Sequence, residues 1–544
     1  MAKQFEYDVV IIGGGPNGLL AGSYLSRAGL KVIVLERRHE MGGGAATEDV
    51  AGTPGFRINS HAQYMMMTDY APVYKDLELE TKYGLRHIYP SLQFAMPLKD
   101  GRCLCLYSDV ERSCQSIANF SQKDAETYRE ISAKCAEYME AFIGPATYVQ
   151  PKPPLEQAMQ LEKTEIGKEI SAYTPKSPKQ VVDELFEDQY VKTLMLHNIC
   201  MWGLDPEGEG VGYLIPLYLN RMVNYRMCVS GSHALPQALI KVILENKGHL
   251  VTSVIIKRII MEGGRAAGVE CEDGRIYRAK KAVVSTIDPH QTFLELVGEE
   301  HLDKDFVESI KGWEWEHWSF LGVHLALEEA PRFRAAEKNE EINKALVYVL
   351  GFESPEEFIE HYKAIGRGEC PLDAGYSCSF PSVFDPLQAP EGKHTGSLYK
   401  MAPYDVEGDS EKWFSIKYKD EHAAGMLNLL REYAPNITDD KIRNKYVSTP
   451  AEISVKFFDM KKGSIKQGAY TPFQMGYNRP NAECSTHRSP VEGLYMGGAC
   501  TYPGGTILLG SGYLAADAVV EDLGIEKWWK EPEIVIQARE KGLL

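Results

Sequence analysis

No run of about twenty consecutive apolar residues occurs in this chain, so no membrane-spanning helix is expected. No C-x-x-C pair occurs either. The cysteines number eleven and are scattered; the nearest two, Cys103 and Cys105, are spaced C-x-C in an alternating, strand-like run. This spacing excludes a thioredoxin-type redox disulfide and a zinc or iron–sulfur site of standard pattern. The thiols read as reduced and structural, which fits a cytoplasmic protein. Basic residues are in deficit, 59 against 76 acidic, giving a net charge of −17. That balance argues against nucleic acid as a partner and against simple attachment to an anionic membrane. Met1 to Glu6 runs directly into an apolar strand pattern, which is read as leaving no room for a signal peptide. With 544 residues, two or three interwoven domains are expected rather than one core.

What is present is concentrated at the beginning. Tyr7 to Ile12 is a β-branched apolar run of the kind that forms a buried parallel strand. Gly13-Gly14-Gly15-Pro16-Asn17-Gly18 follows and supplies G-x-G-x-x-G at Gly13, Gly15 and Gly18. A helical segment from Leu19 to Ala28 ends at Gly29, and a second strand, Lys31 to Leu35, delivers Glu36. Gly13 permits the tight turn, Gly15 lets backbone N–H groups approach a pyrophosphate, and Gly18 lets the helix pack on the strand. The helix N-terminus favours phosphate charge, and Glu36 stands where a carboxylate accepts hydrogen bonds from ribose hydroxyls. Strand, turn, helix, strand and acid in this order predict a bound dinucleotide.

Arg37 and Arg38 come next, then Met41-Gly-Gly-Gly-Ala-Ala-Thr47, with Gly43, Gly44 and Ala45 at its centre. A glycine cluster there lets backbone pass close to an elongated ligand, and either arginine can neutralise phosphate; both also read as a solvated turn. Farther on, a helix opens at Ser230 to Pro236. A strand-rich stretch from Gly248 to Ile260, a meander around Asp273-Gly274, and a parallel strand from Lys280 to Thr286 follow. Near the end, Gly493 to Gly512 is glycine-rich and opens a helix from Tyr513 to about Leu523, again presenting free N–H groups. Gly498, Gly505, Ile507 and Leu508 are the candidates there; a helix cap without ligand is the alternative.

The extension after Glu36 resembles the second diphosphate-contacting motif of flavoproteins in the glutathione reductase and amine oxidase superfamily, which favours FAD over NAD. Together with Gly231 to Gln237, Val284 to Pro289 and Gly493 to Ala516, it resembles the phytoene desaturase-like flavoproteins. These include carotenoid desaturases and isomerases, retinol saturase-like proteins and the pyridine nucleotide-disulfide oxidoreductase-like branch. The wording Gly42-Gly-Gly-Ala-Ala-Thr-Glu48 is most similar to that last branch. No second G-x-G-x-x-G is present, so a separate NAD domain is not indicated. By this resemblance Val254 occupies the position whose backbone contacts adenine; by side chain alone it reads as a core valine. The last glycine cluster would face the flavin ring.

The segments Ser60 to Arg226 and Glu299 to Asp459 carry no motif of that kind and would hold the substrate. His61 and Tyr64 follow the cofactor-binding block closely and are the candidate catalytic residues for proton transfer, with a structural histidine as the alternative. Met65 to Met67, Trp202, a cluster at Trp313, Trp315 and Trp318, and Phe380 and Phe384 are materials for an apolar pocket or for ordinary core. Trp528 and Trp529 near lysines suit a peripheral membrane contact, a dimer contact or packing on the parent domain.

The fold class expected is α/β: a Rossmann-type FAD-binding domain (1–60, 228–298 and 460–524) with an inserted mixed α+β substrate domain (61–227 and 299–459) and a tail, 525–544. The resemblance implies an FAD-dependent oxidoreductase that desaturates a C–C bond of a hydrophobic isoprenoid or alicyclic substrate by hydride transfer to flavin N5. A redox-neutral isomerase or hydratase, and an amine oxidase with an aromatic cage near Trp313, stay open. Electrons would leave to an external acceptor (a quinone, oxygen or a redox protein), no metal is expected, and a homo-oligomer stays open.

Overall fold

A computed structural model describes residues 3–544. Two seven-stranded sheets organise it. The first is built around strand Gln4–Ile12, in which Val9, Val10, Ile11 and Ile12 are all buried. A strand covered on both faces must be apolar without alternation, as this run is. It pairs in parallel with Val32–Leu35 on one side and Ile276–Ser285 on the other; His249–Val251 extends the sheet beyond Val32–Leu35. The crossover from Ile12 to Val32 is helix Pro16–Arg27.

One sequence expectation is revised here. The meander and the following strand are not separate: Ile276–Ser285 is continuous. Its first half pairs antiparallel with Arg265–Cys271, and its last residues pair in parallel with Leu494–Met496. One long strand therefore joins the exposed meander to the buried centre of the sheet.

The second sheet runs Ile442–Ser448, Trp318–Leu327, His394–Pro403, Tyr376–Ser379, Val347–Leu350, Leu92–Pro97 and Cys103–Tyr107 in spatial order. All its pairings are antiparallel except Leu92–Pro97 with Val347–Leu350. Helices Gln122–Tyr138, Gln189–Cys200 and Ile416–Tyr433 belong to the same part of the chain. Met65, Met66 and Met67 are core residues, and Phe380 packs in the core of the second sheet. No helix among the described residues is long and apolar enough to cross a membrane.

The paired tryptophans pack on the parent fold. Trp529 is buried edge-on against Tyr24, Trp528 donates its indole N–H to the Tyr24 carbonyl at 3.1 Å, and Arg27 lies over Trp528.

Candidate active site

Two chambers meet where the two sheets face each other. The first holds about 1370 Å³ of non-atom space and the second about 1110 Å³, counting space that opens to solvent. They share Gly15, Gly43, Thr286 and Asp459, which form a neck between them. Joined through this neck, the two suit an elongated ligand that reaches from one chamber into the other.

The second chamber is formed by the first glycine turn and its surroundings. Gly13, at φ +96°, adopts a conformation that L side chains avoid, and it lines this chamber. A Cβ on Gly18 would lie 2.0 Å from the Gly13 carbonyl oxygen, so the helix can approach the strand only with glycine there. A Cβ on Gly15 would meet nothing nearer than Gly43 Cα at 3.9 Å. The space before the Gly15 backbone is therefore open for a ligand. Glu36 also lines the second chamber; its two oxygens accept from Gly14 N at 2.7 Å and Arg38 N at 2.8 Å. Burial raises its pKa against those two hydrogen bonds. Val254 lines this chamber too, and its N–H donates to the Glu36 carbonyl at 3.0 Å.

Arg37 and Arg38 line the chamber but are already engaged. The Arg37 guanidinium lies 3.2 Å from the Phe458 ring centroid, and Arg38 lies 4.5 Å from that of Phe457. Arg38 also pairs with Glu40 and Glu48. The groups left to face phosphate are backbone N–H groups at Gly15 and the start of helix Pro16–Arg27.

The first chamber has a roof of glycine turns and a floor of sheet. Gly15, Pro16, Asn17 and Gly18 contribute one part of the roof, Gly43, Gly44 and Ala45 a second, and Gly505 and Ile507 a third. Thr506, Ile507 and Leu509 all have φ near +60°. For non-glycine residues this conformation costs about 1–3 kcal/mol each, and such strain clusters at functional sites. Helix Gly510–Asp522 follows; a Cβ on Gly512 would strike the Asn17 backbone at 2.4 Å, so two helix N-termini converge on one place. Gly498 and Leu508 stand behind this wall. Gly498 lets Thr286 and Gln467 close together, and the Leu508 carbonyl accepts from Tyr148 at 3.0 Å.

Phe320, Ser377, Tyr399 and Ser448 of the second sheet form the floor. Trp202 forms one side, with its N–H given to Tyr225 at 2.7 Å. His61 and Tyr64 both line this chamber. His61 lies edge-on to Phe457, ring centroids 4.3 Å apart, and burial holds its pKa well below the usual histidine range, so it is neutral. Tyr64 stacks on Tyr225 at 5.0 Å, and burial keeps its hydroxyl protonated.

Several residues here carried no motif. Asp459 at the neck accepts from Gln467 Nε2 at 2.5 Å, and burial raises its pKa. Lys466 and Glu316 form a buried ion contact of 2.5 Å beneath the chamber wall, off the axis of a good hydrogen bond; Ser464 donates to the other Glu316 oxygen. Trp313 lies under Gly468, its N–H donated to the Gln467 carbonyl at 3.0 Å, and it does not line the chamber. No cluster of metal-ligating side chains occurs among the described residues.

The open backbone at Gly15, the carboxylate at Glu36 and the paired chambers fit a flavin adenine dinucleotide, with the adenosine end in the second chamber. Comparison with known proteins agrees. Residues 18–520 match the family model described as flavin containing amine oxidoreductase. A limonene dehydrogenase chain of Castellaniella defragrans is 40% identical over 560 aligned residues, covering 100% of both chains. Pyridine nucleotide-disulfide oxidoreductase domain-containing protein 2 of Mus musculus is 27% identical, covering 95% of this chain and 94% of its own. Among solved structures, putrescine oxidase bound to putrescine superposes with a TM-score of 0.60 at 13% identity, over 96% of this chain and 100% of that one.

Proposed function

The chain belongs to the family of flavin-containing amine oxidoreductases, and on that footing we propose that it is an FAD-dependent dehydrogenase desaturating a C–C bond of a hydrophobic isoprenoid or alicyclic substrate. The observation that carries this reading is the apolar first chamber abutting the glycine cradle. The full-length likeness to a protein named for limonene dehydrogenation supports the choice of substrate class. FAD, when bound, supplies a hydride acceptor at its N5.

The chain's own residues position carbon and exclude water. Phe320, Trp202, Met201 and Ile453 give the chamber its apolar walls. His61, neutral and lining the chamber, is the group assigned to receive the substrate proton, and Tyr64 lines the same chamber. A cofactor role is proposed for Gly13, Gly15, Pro16, Asn17, Gly18, Glu36, Gly43, Gly44, Ala45 and Val254, and for Gly505 and Ile507 at the ring end. Arg37 and Arg38 line the second chamber while engaged with Phe458 and Phe457, and Gly498 and Leu508 support the ring-end wall from behind. The domain division proposed is 1–60, 228–298 and 460–524 for the cofactor and 61–227 with 299–459 for the substrate. A dehydrogenase needs an external electron acceptor. The Castellaniella relative is named as one of the subunits of its enzyme, which supports a second chain as the carrier. Unpaired cysteines throughout support a reducing, cytoplasmic setting.

Anaerobic addition of limonene to the purified yellow protein tests the reading. Bleaching of the flavin, with a product two hydrogens lighter, is expected. An amine that bleaches where cyclic terpenes do not would replace the desaturase with an amine oxidase.

A further inference from the structure

Arg479 is 0% exposed and lies behind the ring end of the first chamber. All five of its N–H donors are used, and each goes to a backbone carbonyl. Nε donates to Ala499 at 3.0 Å, Nη1 to Ala469 at 3.3 Å and Gln474 at 3.1 Å, and Nη2 to Lys466 at 2.8 Å and Gly468 at 3.3 Å. Ala499 lines the chamber, as does Gln467, which stands between Lys466 and Gly468. The guanidinium also lies 5.0 Å from the ring centroid of Tyr470, whose hydroxyl accepts from the Gly505 N–H at 3.0 Å. One side chain therefore ties together the segments that wall the ring end.

A clamp of this kind needs donors, not charge. The carbonyls satisfy the donors but leave the net charge in place, and a guanidinium desolvated without a carboxylate is costly. No carboxylate among the described residues pairs with Arg479, and the buried ion pair beside it, Lys466 with Glu316, is matched within itself. The acids of the neck do not answer it either: the cations acting on Asp459 and Asp288 are Arg38 and Lys461. The ring-end wall is therefore backed by an unmatched positive charge.

Hydride uptake at the ring end leaves one extra negative charge there. A cation fixed in place favours that state without any reorganisation. A hydrocarbon that gives up hydride has no nitrogen or oxygen lone pair to stabilise the carbon left behind, so it demands a stronger acceptor than an amine does.

We propose that the unmatched charge of Arg479, beyond clamping the wall, makes the bound flavin a stronger oxidant, to the degree that hydride removal from an unactivated carbon demands. The inference rests on the reaction proposed above.

The two-electron reduction potential of the holoprotein, measured without substrate against a reference dye, tests it. At an effective dielectric of about 20, a unit charge about 10 Å away changes such an equilibrium roughly tenfold, and tenfold is about 30 mV for two electrons. The wild type is expected to lie above free FAD. Arg479→Gln, which removes the charge, should fall by about 30 mV or more, whereas Arg479→Lys, which loses much of the clamp but keeps the charge, should stay near the wild type. A clamp without an electrostatic role predicts equal changes in both variants, and equal changes would overturn the proposal. So would a wild-type potential at or below that of free FAD, a result that needs neither variant to fold. Flavin bleaching by limonene reports separately on the reaction. A raised potential without bleaching would keep the charge and remove the substrate class; bleaching at an unraised potential would do the reverse.

Discussion

Asp459 is enclosed by protein except toward the neck, where the two chambers meet. The charged groups acting on it and around it are Glu36, Asp288 and Arg38, with Lys461 near Asp288 and Gln467 as its hydrogen-bond donor. Burial raises all three acids, Asp288 up to about 6. A dinucleotide adds phosphate charge to this acidic enclosure. More negative charge raises the proton affinity of the acids further, and Asp459 stands at the point of entry. A group with a raised pKa holds its proton below that pKa and loses it as pH rises, so cofactor binding should take up a proton and weaken with rising pH. One linked proton limits the slope to about tenfold per pH unit. Titrating apoprotein with FAD by fluorescence quenching from about pH 6 to about pH 9 should show a rising dissociation constant. Asp459→Asn should flatten the profile and bind more tightly at the alkaline end. An unchanged slope in the variant would remove Asp459 from the linkage.

At the scale of elements, the short helix Pro450–Lys456 and the turn after it form a strap over the second chamber. Val455 to Asp459 line it, Lys456 pairs with Glu48, and Phe457 and Phe458 lie under Arg38 and Arg37. The strap directly follows strand Ile442–Ser448, so the part of the chain that carries the floor of the first chamber also closes the second. Phe458 is 45% exposed, so its removal should hardly affect folding. Its contact with Arg37 is worth about 0.5–1 kcal/mol. Phe458→Ala is therefore expected to raise the FAD dissociation constant about twofold to fivefold, and stopped-flow release should show the change in the off-rate. Release unchanged in the variant would mean that the strap covers the chamber without holding its contents. The strap also shows what was legible in the sequence. The first turn was readable because G-x-G-x-x-G places its requirements within six neighbouring residues. His61 and Tyr64, singled out for closely following the cofactor-binding block, line the first chamber. Asp459, the strap and the floor were not readable, because long-range pairing makes them: Tyr399 donates to the carbonyl of Asn59, 340 residues away. The strain at Thr506, Ile507 and Leu509 had no signal either, since nothing in a β-branched isoleucine announces a positive φ.

At the scale of the whole molecule, burial sets two opposing responses to acid. His197, His361, His422 and His487 are pushed down to about 4, and His324 to about 3. In the unfolded chain each protonates near 6.5, so between about 6.5 and 4 the unfolded state binds more protons and stability falls with pH. Asp76, Asp288, Asp459 and Glu36, with raised pKa values, act the other way, since the folded state holds their protons at pH values where the unfolded chain has lost them. Five histidines act against these four acids, and carboxylates held down by lysine partners, such as Glu48 and Glu316, add to the loss of stability in acid. The apparent melting temperature of the apoprotein should therefore decline from about pH 6.5 to about pH 4.5. The cofactor changes the balance: binding stabilises by RT ln(1 + [L]/Kd), and if Asp459 links binding to a proton, Kd falls as pH falls. The gap between holoprotein and apoprotein melting temperatures at fixed FAD should then widen from about pH 8 to about pH 6, above the range where the histidines give way. Thermal scans of both forms at matched FAD concentrations check this. A gap that stays constant would break the link between the acidic neck and the cofactor, while an apoprotein curve without the acid decline would show that the buried histidines are reached by protons before the fold opens.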